Sequence, residues 1–197
     1  MANAKDSKQE IYVTYMDTSK AFDIVDHKGM LNALHQQSIH DSLWQTYDSM
    51  YSGIQSAVKW QGEMSHSFGE QQGIRQGGSS SSDCYKAGKN KLLRQLDATS
   101  SQKIGNLNAG AIMVADELAI VASSMVPMQI SLTMAETDAK CERYTYNASK
   151  TKTVAINCST APILKLNDKP LGTSSKEVHV GIHRNDTTLM PTLLKRE

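Results

Sequence analysis

The run Met113-Val114-Ala115-Asp116-Glu117-Leu118, continued by Ala119-Ile120-Val121-Ala122, is the stretch that decides the fold. Two short apolar segments flank two adjacent acids, a pattern typical of two strands joined by an acidic hairpin tip. Carboxylates at such a tip are suited to bind a hard divalent cation. Adjacent acids at a turn are more often only solvated, so this stretch alone does not establish a site.

A second acidic strand end lies upstream. The β-branched and aromatic run Ile11–Met16 ends at Asp17, and Asp23 follows on the connection to a helix. If the two acidic strand ends lie side by side, Asp17 and Asp116 converge on one point. Two metal ions roughly 3.5–4 Å apart require such a cluster of oxygen ligands. The sequence therefore predicts a metal site, with Asp23 as a structural neighbour.

The composition excludes several classes of protein. The 197 residues suit one domain or a piece of a larger one, and 21 basic against 20 acidic residues leave a net charge of +1 without an evident basic surface. Cys84, Cys141 and Cys158 are far apart, which argues against a disulfide framework or a zinc ribbon. The polar start of the chain indicates neither a signal peptide nor a membrane span. We expect an intracellular protein, nuclear or cytoplasmic, with no membrane partner.

Hydrophobic periodicity predicts helices over Asp26–Gln37 and Asp41–Tyr51, one from the serine run Ser79–Ser82 to Leu96, and one from Ser124 to Tyr146. The residues expected to face the core of the last three are Leu43, Trp44, Tyr47 and Met50, then Tyr85, Leu92 and Leu96, then Ile130, Met134, Cys141 and Tyr144. Asp41 is the expected N-cap of the second helix. Hairpins are expected to turn at Gln61–Gly62 and Asn167–Asp168.

Three motifs carry a resemblance to a known family. DTSKAFDIVDH, Asp17–His27, resembles the first acidic motif of reverse transcriptases from non-LTR retrotransposons. VADELAIVASS, Val114–Ser124, is similar to their second acidic motif, and GIRQGG, Gly73–Gly78, resembles the substrate-positioning motif between them. Order and spacing match from Ile11 to about Asn185, and three ordered motifs rarely arise by chance.

The resemblance implies an α+β fold, a polymerase palm in which an antiparallel sheet has helices packed on one face. Residues 1–10 are then a disordered or truncated end, 11–185 the palm domain, and 186–197 the start of a link to an absent thumb. Fingers and thumb are expected to be largely missing. The implied reaction is RNA-directed DNA synthesis, two-metal nucleotidyl transfer to a primer 3′ end, weak or absent in the isolated fragment.

The resemblance also assigns the metal site and the partners. Asp17 and Asp116 bridge both Mg²⁺ ions, for which Mn²⁺ can substitute, and Glu117 assists as the third catalytic acid. The implied partners are an RNA template, a DNA primer and deoxynucleoside triphosphates. The family usually has aspartate where this chain has Glu117, and one extra methylene displaces that carboxylate.

Further residues receive roles by resemblance alone. Phe22 falls where the family has a steric gate that excludes ribonucleotides. The other nucleotide-binding residues are Arg75, Gln76, Gly77, Lys150 and Lys152. Val180 and Gly181 fall on the primer-grip strand. Two other readings stay open: a decayed or co-opted retroelement remnant that acts, if at all, as a binding module, and an unrelated small α+β binding domain with accidental acids.

Overall fold

The computed structural model describes residues 9–75, 77–78, 80–100, 102–104, 107–158, 162–174, 176–179, 182–185 and 192–193. Contacts divide the chain into two compact units, one made of Met1–Ser19 with Lys91–Glu197 and the other of Lys20–Asn90. The helices are α1 (His27–Gln36), α2 (Asp41–Tyr51), α3 (Ser81–Thr99) and α4 (Met125–Cys141). None of the helices in the described residues is both long and apolar enough to cross a membrane.

Among the described residues, the three longest strands all belong to the sheet of the first unit. In chain order they are β1 (Ile11–Ser19), β2 (Gln55–Ser56), β3 (Lys59–Trp60), β4 (Glu63–Met64), β5 (Phe68–Gly69), β6 (Lys103–Ile104), β7 (Leu107–Asn108), β8 (Ala111–Val114), β9 (Glu117–Ala122), β10 (Thr145–Tyr146), β11 (Lys152–Ile156), β12 (Lys165–Leu166), β13 (Lys169–Pro170), β14 (Gly172–Thr173), β15 (Lys176–His179), β16 (Ile182–Asn185) and β17 (Thr192–Leu193).

The first unit is built on a sheet of order β14-β11-β1-β9-β8, with β10 pairing the end of β1. Every pairing is antiparallel except that of β14, which joins β11 in parallel. Strand β1 lies at the centre because its β-branched and aromatic side chains suit a strand that is buried on both faces. This arrangement confirms the predicted α+β class.

The two faces of this sheet are packed differently. One face carries an apolar cluster around Val13, Tyr15 and Val154. On the other face the buried Thr14 hydroxyl donates to Met128 Sδ of α4 at 3.2 Å and lies 2.9 Å from the Thr153 hydroxyl. Helix α4 therefore covers the Thr14 face of the sheet.

Helix α4 does not bury the stripe that the sequence predicted. Ile130 is 48% exposed, whereas Met128 and Leu132 are fully buried. Both stripes have helical spacing, and the sheet selects the one that includes Met128. The expectation that Ile130 and Cys141 face the core is wrong, since both are exposed, whereas Met134 is half-buried.

The second unit contains α1 and α2, and its contacts test the helix caps and the hairpin turn that were predicted from neighbouring residues. Asp26 caps α1 by accepting from Gly29 N at 2.7 Å. The predicted turn joins β3 to β4, with positive φ at Gln61 (49°) and Gly62 (90°), as a two-residue type I′ hairpin requires. His40, not Asp41, occupies the N-cap position of α2.

The core stripe predicted for α2 is only partly correct. Leu43 and Met50 are 53% and 52% exposed, although their spacing predicted a core stripe. Tyr51 is buried instead, and its ring lies 5.1 Å from the ring of His27. In α3, by contrast, Tyr85, Leu92 and Leu96 are all buried as predicted.

Candidate active site

Asp116 lies at the tip of the β8–β9 hairpin in the first unit. Val114 pairs with Glu117, so Ala115 and Asp116 form a two-residue turn. Ala115 has φ +52°, a left-handed conformation that costs a residue with a Cβ about 1–2 kcal/mol. Strand pairing on both sides holds this turn, which fixes the position from which the Asp116 side chain projects.

The end of β1 lies beside this tip. The register pairs Asp17 directly with Glu117, and residues opposite each other in an antiparallel pair project from the same face. The Thr18 hydroxyl donates to the Asp116 carbonyl at 3.4 Å and ties the tip to β1. The backbone therefore brings the three predicted acids together at one end of strands β1 and β9, which we call the acidic edge. The sequence offered no signal for the tie from Thr18.

A lysine contacts the first of these acids. Lys150 Nζ lies 3.4 Å from Asp17 Oδ2, with 65% of the lysine side chain and 37% of the aspartate side chain exposed. Asn147 N donates to the Asp17 carbonyl at 2.9 Å, and Asn147 Oδ1 accepts from Ser149 N at 3.1 Å. An Asx turn thus fixes the loop that carries Lys150 to the end of β1.

Lys152 lies on the neighbouring strand. It pairs with Tyr15 at the β1–β11 interface, and its ammonium group lies against Gly172 of β14, where a Cβ would meet Nζ at 2.9 Å. The predicted lysines therefore have different surroundings, because Lys150 contacts Asp17 and Lys152 covers a glycine.

The acids suit a hard cation by chemistry and by backbone position. Asp17, Asp116 and Glu117 offer only carboxylate oxygens, the ligands that Mg²⁺ prefers, and Asp17 already attracts the ammonium of Lys150. Their side chains are not gathered into a closed cluster: within the described ranges, no group of three or more histidine, cysteine or acidic side chains is arranged to hold a metal ion. The residues fit a metal in donor type, and binding requires the side chains to converge.

In the second unit, Phe22 is held through its main chain and its ring. Its carbonyl accepts from Ile74 N at 2.8 Å. Its ring stacks on that of Tyr85, with centroids 5.3 Å apart and planes 28° from parallel. The predicted gate residue is therefore joined to the segment that leads into the GIRQGG motif and to the helix after it.

Gly73 closes this assembly. Its φ is +99°, and a Cβ there would meet the Asp23 carbonyl oxygen at 3.3 Å. Gly73 N donates to the Val25 carbonyl at 2.8 Å, and the buried His27 ring donates from Nε2 to the Gly73 carbonyl at 2.7 Å. Sequence reasoning missed His27, although it ends the first acidic motif.

The loop after Ile74 is closed by the serine run. The buried Ser81 hydroxyl donates to the carbonyl of the exposed Arg75 at 2.7 Å. Gly77 has φ +86°, and a Cβ added there would meet nothing within 4 Å. The predicted residues Gln76, Val180 and Gly181 lie outside the described residues.

Burial governs the ionisation of the groups beneath this loop. Cys84, which precedes Tyr85, is 1% exposed, and burial raises the pKa of its thiol above the ordinary value. Burial also raises the pKa of Tyr51. The raised pKa of Cys84 keeps its thiol protonated near pH 7, and it is not a nucleophile at that pH.

Comparison with known proteins decides the family. The model of the family described as "Reverse transcriptase (RNA-dependent DNA polymerase)" matches residues 1–180. The chain belongs to the reverse transcriptase family. Part of this reverse transcriptase chain is 26% identical over 121 residues to the retrovirus-related Pol polyprotein from type-2 retrotransposable element R2DM of Drosophila melanogaster. A similar match, 25% over 126 residues, is to the Pol polyprotein from type-1 retrotransposable element R2 of Nasonia vitripennis.

These relatives confirm the resemblance to non-LTR retrotransposon reverse transcriptases. The matches cover 61% and 64% of this reverse transcriptase chain but only 11% and 12% of the two polyproteins. The chain therefore spans about a tenth of the length of the relatives it matches.

Solved structures support the fold. Apo telomerase from Candida tropicalis superposes with a TM-score of 0.66 at 14% identity, covering 97% of this reverse transcriptase chain and 34% of that one. Telomerase from Candida albicans, solved with a TWJ fragment of telomeric RNA, gives 0.64 at 13% identity, covering 98% and 32%. At these identities the likeness shows the fold alone.

Proposed function

We propose that this chain carries the nucleotidyl-transfer site of an RNA-directed DNA polymerase, which adds deoxynucleotides to a primer 3′ end. The observation that carries the proposal is the register that sets Asp17 opposite Glu117 with Asp116 at the adjoining tip. Three carboxylates at neighbouring strand ends match the needs of two-metal phosphoryl transfer. Family membership supports the same reaction.

Asp17, Asp116 and Glu117 are the residues that would hold Mg²⁺ or Mn²⁺. Divalent ions bound there supply charge that lowers the pKa of the primer hydroxyl and stabilises departing pyrophosphate. Lys150, whose ammonium lies 3.4 Å from Asp17, adds positive charge at the same strand end. It is suited to neutralise or protonate the leaving group.

The second unit supplies selection and positioning of the nucleotide. In the proposed role the Phe22 ring lies against the sugar and excludes a ribose 2′-hydroxyl. Arg75, Gln76 and Gly77 position the triphosphate or the template. Gly77 supports this role because its positive φ and open surroundings allow a ligand to approach the backbone closely.

The remaining roles rest on family membership. Lys152 is proposed to add positive charge near the nucleotide, and Val180 with Gly181 to form the primer grip. The proposed partners are an RNA template and a DNA primer, in line with the telomerase solved with RNA. We propose residues 11–185 as the palm domain of a longer protein, since the relatives are roughly nine times the length of the matched part.

A second candidate function rests on Glu117. If its longer side chain prevents the three acids from converging, the fold persists without catalysis, and the chain is a co-opted remnant that binds other molecules. The departure of this residue from the usual aspartate is the specific observation that favours this alternative.

Primer extension on an RNA template with Mn²⁺ tests the proposal. We expect at most weak extension by the isolated chain, and we expect Asp17→Asn to abolish it, because one of the metal-binding charges is removed. Asp83→Asn is the matched control, since Asp83 is also paired with a lysine, Lys86 at 2.9 Å, but lies in the first turn of α3. Equal extension by wild type and Asp17→Asn would contradict the proposed site.

A further inference from the structure

The ring that backs Phe22 is the starting point. Phe22 is half-buried, and its neighbour Tyr85 is 2% exposed. The centroid distance of 5.3 Å and the angle of 28° between the ring planes describe a stacked pair. One side of the Phe22 ring is therefore supported by a buried aromatic side chain.

Tyr85 is itself firmly placed. It lies in the second turn of α3, and the ammonium group of the buried Lys89, four residues later, is 6.0 Å from its ring centroid. A cation at that distance over a ring is weakly attractive. Helix backbone, burial and this cation together restrict movement of the tyrosine ring.

The main chain of Phe22 is restrained as well. Ile74 N donates to its carbonyl at 2.8 Å, and Asp23 N donates to the Lys20 carbonyl at 3.0 Å in the turn that carries it. Because its main chain is hydrogen-bonded, the Phe22 ring can move mainly through its side-chain torsions, and the buried Tyr85 ring stacked against it blocks movement to that side. The position of the gate is thus set by Tyr85.

We propose that Tyr85 is a positioning residue that sets the sugar specificity of nucleotide selection. By supporting the Phe22 ring, Tyr85 prevents the ring from yielding to a ribose 2′-hydroxyl. This inference rests on the proposed polymerase function and deepens it. In this role a buried helix residue holds the steric gate rigid, so that the gate can discriminate deoxynucleotides from ribonucleotides.

A purely structural role makes a different prediction. A tyrosine that only fills the core would, when shortened, destabilise the chain and weaken both nucleotide types equally. A tyrosine that supports the gate changes the ratio between them, because shortening it admits the ribonucleotide and leaves the deoxynucleotide contact intact. The ratio is therefore the measurement that separates the two roles.

The experiment compares dATP with ATP in the presence of Mn²⁺, both as substrates for primer extension and as ligands in equilibrium binding. The variants are Tyr85→Leu, Tyr85→Phe, Phe22→Ala and the double variant Phe22→Ala with Tyr85→Leu. Leu96→Ala is the matched control, since it creates space at a buried residue eleven positions further along α3, about 16 Å by helical rise.

We expect Tyr85→Leu to lower the preference for dATP about 10-fold, mainly through better use of ATP. Tyr85→Phe should keep the wild-type preference for dATP over ATP, because it keeps the aromatic ring. Leu96→Ala should keep the wild-type ratio even if the chain is less stable. In the double variant Tyr85→Leu should add nothing to Phe22→Ala, since its effect passes through the Phe22 ring.

Two failures are distinguishable. An unchanged ratio in Tyr85→Leu, with a lowered ratio in Phe22→Ala, would overturn the role of Tyr85 and leave the proposed function standing. A wild-type chain that neither binds nor incorporates either nucleotide would overturn the proposed function, and the inference with it.

Discussion

The acidic edge of the first unit (Asp17, Asp116 and Glu117) and the packed assembly of the second (Phe22, Gly73 and Tyr85) are built in opposite ways. At the acidic edge, Asp17 is placed by strand register, and 37% of its side chain stays exposed. In the assembly, Tyr85 is 2% exposed and is placed by the groups packed around it. Changes at the edge should therefore alter chemistry with little effect on stability, whereas changes in the assembly should alter both.

The strongest test of the exposed edge is Glu117→Asp. Removing one methylene moves the carboxylate closer to the length that the family usually has, and a displacement near 1 Å can change a rate on the order of 10²-fold. We expect faster extension by up to about that factor, without a change in the thermal midpoint. Single-nucleotide incorporation with Mn²⁺ measures the rate.

Glu63→Asp is the control for this variant. Glu63 is an exposed glutamate on β4 of the second unit, so the same shortening is made at a glutamate that is not one of the three candidate metal-binding acids. An identical rate for wild type and Glu117→Asp would show that the longer side chain is not the fault. Extension seen only in Glu117→Asp would favour the remnant reading for the natural chain.

Gly73→Ala tests the packed assembly. A φ of +99° is strained for alanine, and the new Cβ would meet the Asp23 carbonyl oxygen at 3.3 Å. We expect the free energy of unfolding to fall by about 2 kcal/mol. Both tryptophans of the chain, Trp44 and Trp60, lie in the second unit, so tryptophan fluorescence in urea follows its unfolding.

Gly88→Ala, in the same unit, should change the free energy of unfolding in the opposite direction. Gly88 lies inside α3 with nothing within 4 Å of an added Cβ, and alanine is favoured over glycine in a helix by about 1 kcal/mol. We expect this variant to be more stable than wild type. A Gly73→Ala chain as stable as wild type would show that the loop conformation there is not constrained.

The sequence predicted the features that neighbouring residues determine. The turn at Asn167–Asp168 forms as expected, with both residues at positive φ, because turn chemistry is local. Register could not be read in the same way, since β1 is buried on both faces and a shift of one residue would not exchange an apolar face for a polar one.

What the sequence could not predict depends on distant partners. Met128, not Ile130, faces the sheet, and Leu43 stays exposed, because periodicity shows that a stripe exists but not what covers it. The stack of Phe22 on Tyr85 joins residues 63 positions apart, and no local signal marks it. Only Asp17 and Asp116 were predicted from the sequence pattern itself. The other site residues were named by resemblance to a family, and the contacts that support them came from the structure.

The smallest expected effect is at the acidic edge, where an exposed ion pair is compared with the hydrogen bond of an Asx turn. Lys150→Gln removes an ion pair at 3.4 Å in which 65% of the lysine is exposed, so the free energy of unfolding should change by less than about 0.5 kcal/mol. Asn147→Ala removes the acceptor that fixes the same turn, and should cost about 1 kcal/mol. Far-UV circular dichroism in urea measures both. A larger loss in Lys150→Gln than in Asn147→Ala would mean that the ion pair, and not the Asx turn, holds this loop at the end of β1.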